Sequence, residues 1–348
     1  MPTISIPEEL NLDDIYVDLR PMFKYPLFLK CETFNFAGSI KLKAAASMLT
    51  DAEESGILRP GSVLVESSSG NLGIALAMLA ASRDYDFLCV TDVRANRSAC
   101  RLIETLGGRV HVVTEPDPDG GLLGARIGYI ERLCSRDSGY VWLDQYRNPA
   151  NWKAHYSLTA PAIDGRFPDL DVLFVGAGTT GTLMGCARYF RERVRERRVT
   201  MVAVDSVGST TFGSQAGDRM IPGIGSSVSP PLLDRSCVDD FVLVSELDTI
   251  RQCHELASRG FVFGGSTGTV VTGALRWLTE NRQNEDVTAV AIAHDLGERY
   301  LDTLYDPTWV LETYGSDALC AIREGEENSG MPAFGRAGSL VVPASYGA

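Results

Sequence analysis

The segment VGAGTTGTLMG, residues 175–185, is the part of this 348-residue chain that decides its fold. An apolar run precedes it, a helical pattern follows it, and its three spaced glycines spell GxGxxG. This fingerprint is typical of dinucleotide-binding folds. Backbone N–H groups and hydroxyls at a helix start also suit a single phosphate, and three threonines surround the last glycine. The loop therefore predicts a phosphate-containing ligand and leaves two classes of enzyme open.

Strand-like apolar runs alternate with helical patterns on both sides of this loop. The predicted strands are 62–67, 86–91, 109–114, 140–145, 171–178, 199–205, 240–245 and 287–295. The predicted helices are 71–83, 95–108, 121–136, 182–196, 247–260 and 267–282. Nearly continuous apolar strands that alternate with helices form parallel sheets covered on both faces. The pattern predicts an α/β protein with two doubly wound parallel-sheet domains and a cleft between them.

The predicted junction between the two domains lies near residues 147–156. We expect a smaller domain at 36–146, a larger domain formed by 1–35 and 147–322, and a loosely ordered tail at 323–348. In doubly wound sheets, ligands bind beyond the carboxyl ends of the strands. Loops of small and polar residues occur at or near such ends at 66–71, 176–182, 205–213 and 294–300. Their clustering predicts a small-molecule site.

Composition and charge argue against several classes of function. The chain is 45% hydrophobic and 22% charged, as in ordinary soluble domains. Its net charge of -13 disfavours nucleic acid and anionic membranes as partners. We expect a cytoplasmic protein, since no signal peptide and no bilayer-spanning run is visible. The eight cysteines form no CxxC motif and predict no metal site.

A second segment, FNFAGSIKLKAAASML at residues 34–49, carries a candidate reactive amine. Lys41 lies in the first turn of the helix predicted there. Because the helix dipole disfavours a cation at that end, an amine in this position is a candidate for a neutral nucleophile. Spacing alone does not separate Lys41 from Lys43, nor a reactive amine from a solvated surface lysine.

Six motifs in this order resemble the cysteine synthase/cystathionine β-synthase family of fold-type II enzymes, which use pyridoxal 5′-phosphate (PLP). They are KYPLFLKCETFNFAGSIKLKAA, ESSSGNLGIALA, QYRNPANWKAHY, VGAGTTGTLMG, IPGIGSS and FGGSTGT, across about residues 20–305. The resemblance implies a homodimer with PLP in the cleft between two α/β domains. An NAD-dependent dehydrogenase, with Asp205 as its ribose-binding acid, is the alternative from another class.

The resemblance also implies roles for single residues. Lys41 would form the Schiff base with PLP and remove the α-proton of the substrate. Asn71 would hydrogen-bond the phenolic oxygen of PLP, and Ser266 would face its pyridine nitrogen. The residues implied to hold the phosphate are Gly178, Thr179, Thr180, Gly181 and Thr182. Those implied to bind the substrate α-carboxylate are Ser68, Ser69, Asn71 and Gln145.

Departures from ordinary cysteine synthases indicate one branch of the family. The chain reads SIKLK where Lys-Asp-Arg usually closes the lysine motif, and Thr179-Thr180 where two glycines are usual. These features resemble the siderophore and antibiotic branch, which joins O-phospho-L-serine and L-glutamate through an α-aminoacrylate intermediate. Its product, N-(1-amino-1-carboxy-2-ethyl)-L-glutamate, is the precursor of L-2,3-diaminopropionate. A sulfhydrylase that makes cysteine from O-phosphoserine or O-acetylserine is the alternative.

A phosphate leaving group would require a cation near the substrate β-carbon. Arg219, which lies two residues before the first residue of the IPGIGSS segment, is one candidate contact, and Tyr156 is the other. The competing interpretation is that Arg219 is a solvated loop residue that does not contact the substrate.

Overall fold

The computed structural model describes residues 3–10, 12, 14–23, 25–68, 70–118, 120–194, 196–282, 286–316, 318 and 322. Within them the strands are β1 (Tyr16–Asp18), β2 (Leu27–Cys31), β3 (Val63–Ser67), β4 (Asp86–Asp92), β5 (Arg109–Val113), β6 (Tyr140–Trp142), β7 (Val172–Gly176), β8 (Thr200–Ser206), β9 (Asp240–Val244) and β10 (Ala289–Ala293). The α-helices are α1 (Lys41–Glu54), α2 (Asn71–Ser82), α3 (Arg97–Thr105), α4 (Gly121–Arg136), α5 (Pro149–Ala154), α6 (Ala160–Arg166), α7 (Gly181–Glu192), α8 (Glu246–Ser258), α9 (Gly265–Asn281) and α10 (Pro307–Tyr314).

The larger sheet has six strands in the order β1-β2-β10-β7-β8-β9. Every pairing is parallel except that of β1 with β2, at one edge. Alternate residues of β7 enter the cores on opposite faces of the sheet. Val172 and Phe174 pack on one face, and Leu173 and Val175 pack on the other. All of β7 is buried, which explains its uninterrupted apolar sequence.

The smaller sheet has four parallel strands in the order β5-β4-β3-β6, all between residues 63 and 142. Its helix α2 is buried continuously from Leu72 to Ala80, because it packs against both α1 and strands of this sheet. The predicted α/β class with two parallel sheets is therefore confirmed. The predicted tail at 323–348 lies outside the described residues.

The sequence patterns did not predict β1 and β2. β1 has only three residues, which is too short for a periodic pattern to be recognised. β2 contains Lys30, which is fully buried, lies 3.5 Å from a carboxylate oxygen of Glu32 and stands over the ring of Tyr16. A lysine inside a core strand breaks the apolar run that identifies such strands. None of the described helices has the length and apolar character that crossing a bilayer requires.

Candidate active site

One cleft of about 570 Å³ is lined by residues of both sheets. The loops that follow β3, β4, β6, β7 and β10 contribute to it, together with residues 217–227. The first turns of α1, α2, α3, α4, α7 and α9 also line it. Since a helix start carries partial positive charge, six such ends make this cleft favourable for anions. Three of the four predicted loops, at 66–71, 176–182 and 294–300, contribute to the lining.

The prediction for the fourth loop, 205–213, is wrong, because none of its residues lines the cleft; the loop instead supports residues 217–227. The N–H of Thr210 donates to the carbonyl of Ser226 over 2.9 Å, and the N–H of Ser226 donates to Ser209 Oγ over 3.0 Å. Asp205 is fully buried, and its Oδ1 accepts the N–H of Ser206 over 2.8 Å. Because Asp205 is buried and does not line the cleft, it is not placed to bind the ribose that the dehydrogenase alternative requires.

The structure separates the two candidate lysines. Lys41 is the first residue of α1 and lines the cleft, whereas the Lys43 ammonium lies 2.8 Å from a carboxylate oxygen of Glu32 and lines a different cavity. Burial lowers the pKa of Lys41, and the negative charges of Asp295 and Glu66 oppose this effect. A lowered pKa favours the neutral amine that nucleophilic and general-base chemistry requires.

Residues 178–182 form an anion-binding loop at the start of α7. Their backbone N–H groups make no hydrogen bond to any described residue. Thr180 adopts a left-handed conformation with a φ of 65°, and its buried Oγ1 has no partner among the described residues. A Cβ at Gly178 would lie only 2.7 Å from the carbonyl oxygen of Gly223. Free N–H groups and hydroxyls held this closely are the donor set that a phosphate requires.

Asn71, the first residue of α2, is held on both sides of its amide. Its Nδ2 donates to Asp295 Oδ2 over 2.9 Å, and its Oδ1 accepts from Arg299 Nη1 over 2.6 Å. The Tyr300 hydroxyl donates to the same Asp295 oxygen. These partners fix which end of the amide is nitrogen and leave one N–H for a ligand. The arrangement fits the predicted hydrogen bond to a phenolic oxygen.

The start of α2 forms a second anion site. The backbone N–H groups of Asn71 and Leu72 have no acceptor within the described residues. Ser68 Oγ accepts the N–H of Gly73 over 2.9 Å, so its own proton can be donated into the cleft. Ser69 lies outside the described residues. The site fits the predicted carboxylate contacts of Ser68 and Asn71.

Gln145, in the loop after β6, and Ser266, at the start of α9, both line the cleft. The Gln145 side chain donates to the carbonyl of Ser67 over 2.8 Å. Ser266 is buried in the first turn of α9, and its hydroxyl makes no hydrogen bond to the described residues. Gly223 lies directly against that hydroxyl, where any side chain would collide with it. The geometry leaves the Ser266 hydroxyl available to a ligand.

Cationic side chains are concentrated in the cleft although the chain carries a net charge of -13. Asp92 and Asp218 are the acidic residues among the described lining. The arginines that line the cleft are Arg94, Arg126, Arg219 and Arg299. Arg219, predicted from sequence, also organises its own loop, because it donates to the carbonyl of Gly208 and to Ser227 Oγ.

The sequence predictions missed Arg126. It is 9% exposed, its Nε lies 3.2 Å from Asp92 Oδ2, and its Nη1 has no hydrogen-bond partner among the described residues. The signal was present in the helical pattern, because Leu123, Arg126 and Ile130 recur at helical spacing on the buried face of α4. An arginine on the buried face of a helix next to a ligand loop is a candidate anion contact.

The prediction of a substrate contact at Tyr156 does not fit the structure. Tyr156 belongs to a π-helical turn, His155–Thr159, and is not part of the cleft lining. Its hydroxyl donates to Glu192 Oε2 over 2.8 Å and accepts from Arg193 Nε over 3.0 Å. The neighbouring His155 contacts Thr182 of the anion-binding loop instead, because consecutive residues of a helical turn point in different directions.

Comparison with known proteins identifies the family. A family described as "Pyridoxal-phosphate dependent enzyme" matches residues 17–295. The chain belongs to this family. The N-(2-amino-2-carboxyethyl)-L-glutamate synthase of Ralstonia nicotianae is 36% identical over 316 residues, which cover 89% of this chain and 91% of that protein.

Solved structures of the family share the fold. O-ureido-L-serine synthase is 33% identical with a TM-score of 0.79, and the match covers 92% of this chain and 100% of that one. The O-acetylserine-dependent cystathionine β-synthase from Helicobacter pylori is 25% identical with a TM-score of 0.78, covering 87% and 99%. The predicted fold-type II architecture, PLP dependence and β-replacement class are confirmed, and the NAD-dependent alternative is wrong.

Proposed function

We propose that this PLP enzyme joins O-phospho-L-serine to L-glutamate and forms N-(1-amino-1-carboxy-2-ethyl)-L-glutamate. The observation that carries the proposal is the cationic cleft, whose described lining includes four arginines and six helix starts in an acidic protein. O-phosphoserine brings a phosphate and a carboxylate, and glutamate brings two carboxylates. Sulfide, the second substrate of a sulfhydrylase, needs no such anion sites. The name of the Ralstonia nicotianae relative supports the same assignment.

The residues around the cleft fit the cofactor. Residues 178–182 would hold its phosphate, Asn71 its phenolic oxygen and Ser266 its pyridine nitrogen. Bound PLP supplies an electron sink for negative charge at the substrate α-carbon. The Lys41 amine accepts the α-proton, since it lines the cleft and burial disfavours its charged form. The phosphate group leaves the β-carbon as inorganic phosphate. The glutamate nitrogen forms the new bond there and gives up a proton, and Lys41 would return a proton to the α-carbon.

Separate anion sites within the cleft would orient the substrates. We assign the α-carboxylate of O-phosphoserine to the start of α2, where the N–H groups of Asn71 and Leu72 have no acceptor among the described residues. Ser68 and Gln145 are our candidates for further contacts, with Ser69 implied by the family resemblance. Arg219 is our candidate for the leaving phosphate. Arg126 is buried, its Nη1 has no hydrogen-bond partner in the described part of the chain, and it offers a charged donor to a further anionic group of either substrate.

Visible absorption of the holoenzyme tests the function. We expect the spectrum to shift when O-phospho-L-serine is added and to recover only with L-glutamate, with the joined product identified by mass spectrometry. Recovery with sulfide alone would make the protein a cysteine synthase and overturn the proposal. Borohydride reduction followed by peptide mapping should label Lys41 and leave Lys43 unmodified, which checks the reactive amine independently of the second substrate.

Assembly, location and pathway complete the proposal. We propose a homodimer, which light scattering after size-exclusion chromatography would measure directly. A cytoplasmic location and a role in siderophore or antibiotic biosynthesis, through L-2,3-diaminopropionate, are further parts of it. Neighbouring genes that encode enzymes acting on the joined product would support this role in the pathway.

A further inference from the structure

A layer of polar side chains packs against the anion-binding loop, residues 178–182. Asn151 of α5 donates from Nδ2 to the carbonyl of Gln145 over 2.7 Å and to Thr179 Oγ1 over 3.1 Å. Because a carbonyl only accepts, the Asn151 atom must be nitrogen, and both of its hydrogens are used. Thr179 Oγ1 is therefore an acceptor toward Asn151, and its own proton is available to the cleft.

His155 makes a similar contact with the second hydroxyl of the loop. The ring is 1% exposed, with Nε2 3.2 Å from Thr182 Oγ1 and Nδ1 3.1 Å from Thr159 Oγ1. If Nε2 carries the hydrogen, it donates to Thr182, whose proton can then be donated into the cleft. If Nδ1 carries the hydrogen, Nε2 can only accept, so the Thr182 hydroxyl must donate its proton to the ring and not into the cleft. The tautomer of His155 therefore decides the direction of the Thr182 hydrogen bond.

Close helix packing holds these contacts in place. A Cβ at Gly185 would lie 2.6 Å from the Cβ of His155, and a Cβ at Gly181 would collide with the Asn151 side chain. These glycines lie one turn apart on α7 and let it approach α5 and the π-helical turn. Burial, together with the charges of Lys43 and Lys41, lowers the pKa of His155 well below its ordinary value, so the ring is neutral.

We propose that Asn151 and His155, the latter as the Nε2–H tautomer, are positioning residues that aim the hydroxyls of Thr179 and Thr182 into the cleft as donors. The inference rests on the proposed placement of the cofactor phosphate at residues 178–182. A phosphate dianion only accepts hydrogen bonds, so a hydroxyl that donates backwards contributes nothing to holding it. Asn151 and His155 set the direction of both hydroxyls without adding a charge.

Two substitutions of His155 separate the two ring nitrogens. The amide nitrogen of Gln reaches the position of Nε2, whereas that of Asn reaches only the position of Nδ1. We expect His155→Gln to keep the PLP dissociation constant within about threefold, and His155→Asn to raise it about tenfold, as for a lost hydrogen bond to a charged group. Equilibrium dialysis measures both constants. His111→Gln is the matched control, because His111 stacks on Tyr129 outside the cleft.

Spectroscopy on the unmodified holoenzyme tests the same inference if a variant fails to fold. The ¹⁵N spectrum of histidine-labelled protein should show hydrogen on Nε2 of His155, and the ³¹P resonance of bound PLP should shift in His155→Asn but not in His155→Gln. Hydrogen on Nδ1, or equal PLP affinities of the two variants, would overturn the inference.

A double variant, Thr179→Val with Thr182→Val, separates this inference from the placement of the phosphate. We expect it to weaken PLP binding more than His155→Asn does. Unchanged PLP affinity in the double variant would reject the phosphate placement itself. If the double variant binds PLP weakly and His155→Asn binds it with native affinity, only the positioning role of His155 is rejected.

Discussion

The guanidinium of Arg299 donates to the amide oxygen of Asn71 over 2.6 Å and thereby joins the loop after β10 to the start of α2. The same guanidinium donates to the carbonyl of Ala37, in the turn before α1, and the Asn96 side chain donates to the Arg299 carbonyl. One residue that follows the larger sheet therefore contacts three segments around the smaller sheet, including the turn that leads to Lys41.

Arg299→Ala should weaken PLP binding and lower kcat/KM about 10- to 100-fold. The substitution removes a charged donor from the part-buried Asn71 amide oxygen, and such a hydrogen bond contributes about 1.5–3 kcal/mol. Equilibrium dialysis and steady-state kinetics measure the two effects. Arg20→Ala is the control, because Arg20 pairs with Asp18 at an exposed site. Native PLP affinity in Arg299→Ala would show that Asn71 keeps its orientation without this contact.

Gly181→Ala should destabilise the protein by about 1–3 kcal/mol and abolish tight PLP binding. The added methyl group would collide with the Asn151 side chain at the start of α7, and overpacking of this kind typically has that cost. Urea unfolding and dialysis check the prediction. Gly165→Ala in α6 is the matched control, since its Cβ would meet no atom within 4 Å, and we expect it to be neutral or stabilising by about 0.5–1 kcal/mol. Equal stability of the two variants would contradict the packing argument.

Arg219→Ala should reduce kcat/KM for O-phospho-L-serine at least about tenfold more than for O-acetyl-L-serine, because only the first donor has a charged leaving group. Arg219 also organises its loop through Gly208 and Ser227, and loss of those contacts affects both donors. The ratio of the two kcat/KM values therefore isolates the charge effect. Equal losses on both donors would remove the assignment of Arg219 to the leaving group.

Raising the pH from 5 to 8 should lower the free energy of unfolding through Glu66. Burial raises the pKa of this carboxyl from 4.5 to about 7. Between these values the folded state keeps the proton that the unfolded state has released, so stability falls as the pH rises. The contribution is about 3 kcal/mol. Urea unfolding of PLP-saturated protein across this range should show a smaller slope for Glu66→Gln. Identical slopes in both proteins would contradict the prediction.

The sequence by itself determined the alternation of strands and helices, the anion-binding loop and, through six ordered motifs, the family with its cofactor. These features can be predicted from sequence because each depends on residues that are close together in the chain. Apolar periodicity identifies a strand or helix from its own residues, and the glycines and threonines at 176–182 act within one turn. The same reasoning missed β2, whose buried Lys30 is stabilised by residues outside the strand.

Only the tertiary structure decided which side chains share the cleft. It placed Lys41 in the lining and Lys43 against Glu32, brought Arg126 into the site and turned Tyr156 away from it. Each of these outcomes depends on the face of a helix that packs against a distant element. Chain spacing fixes neighbours along one helix, whereas long-range packing between the two sheets determines which helix starts and loops meet.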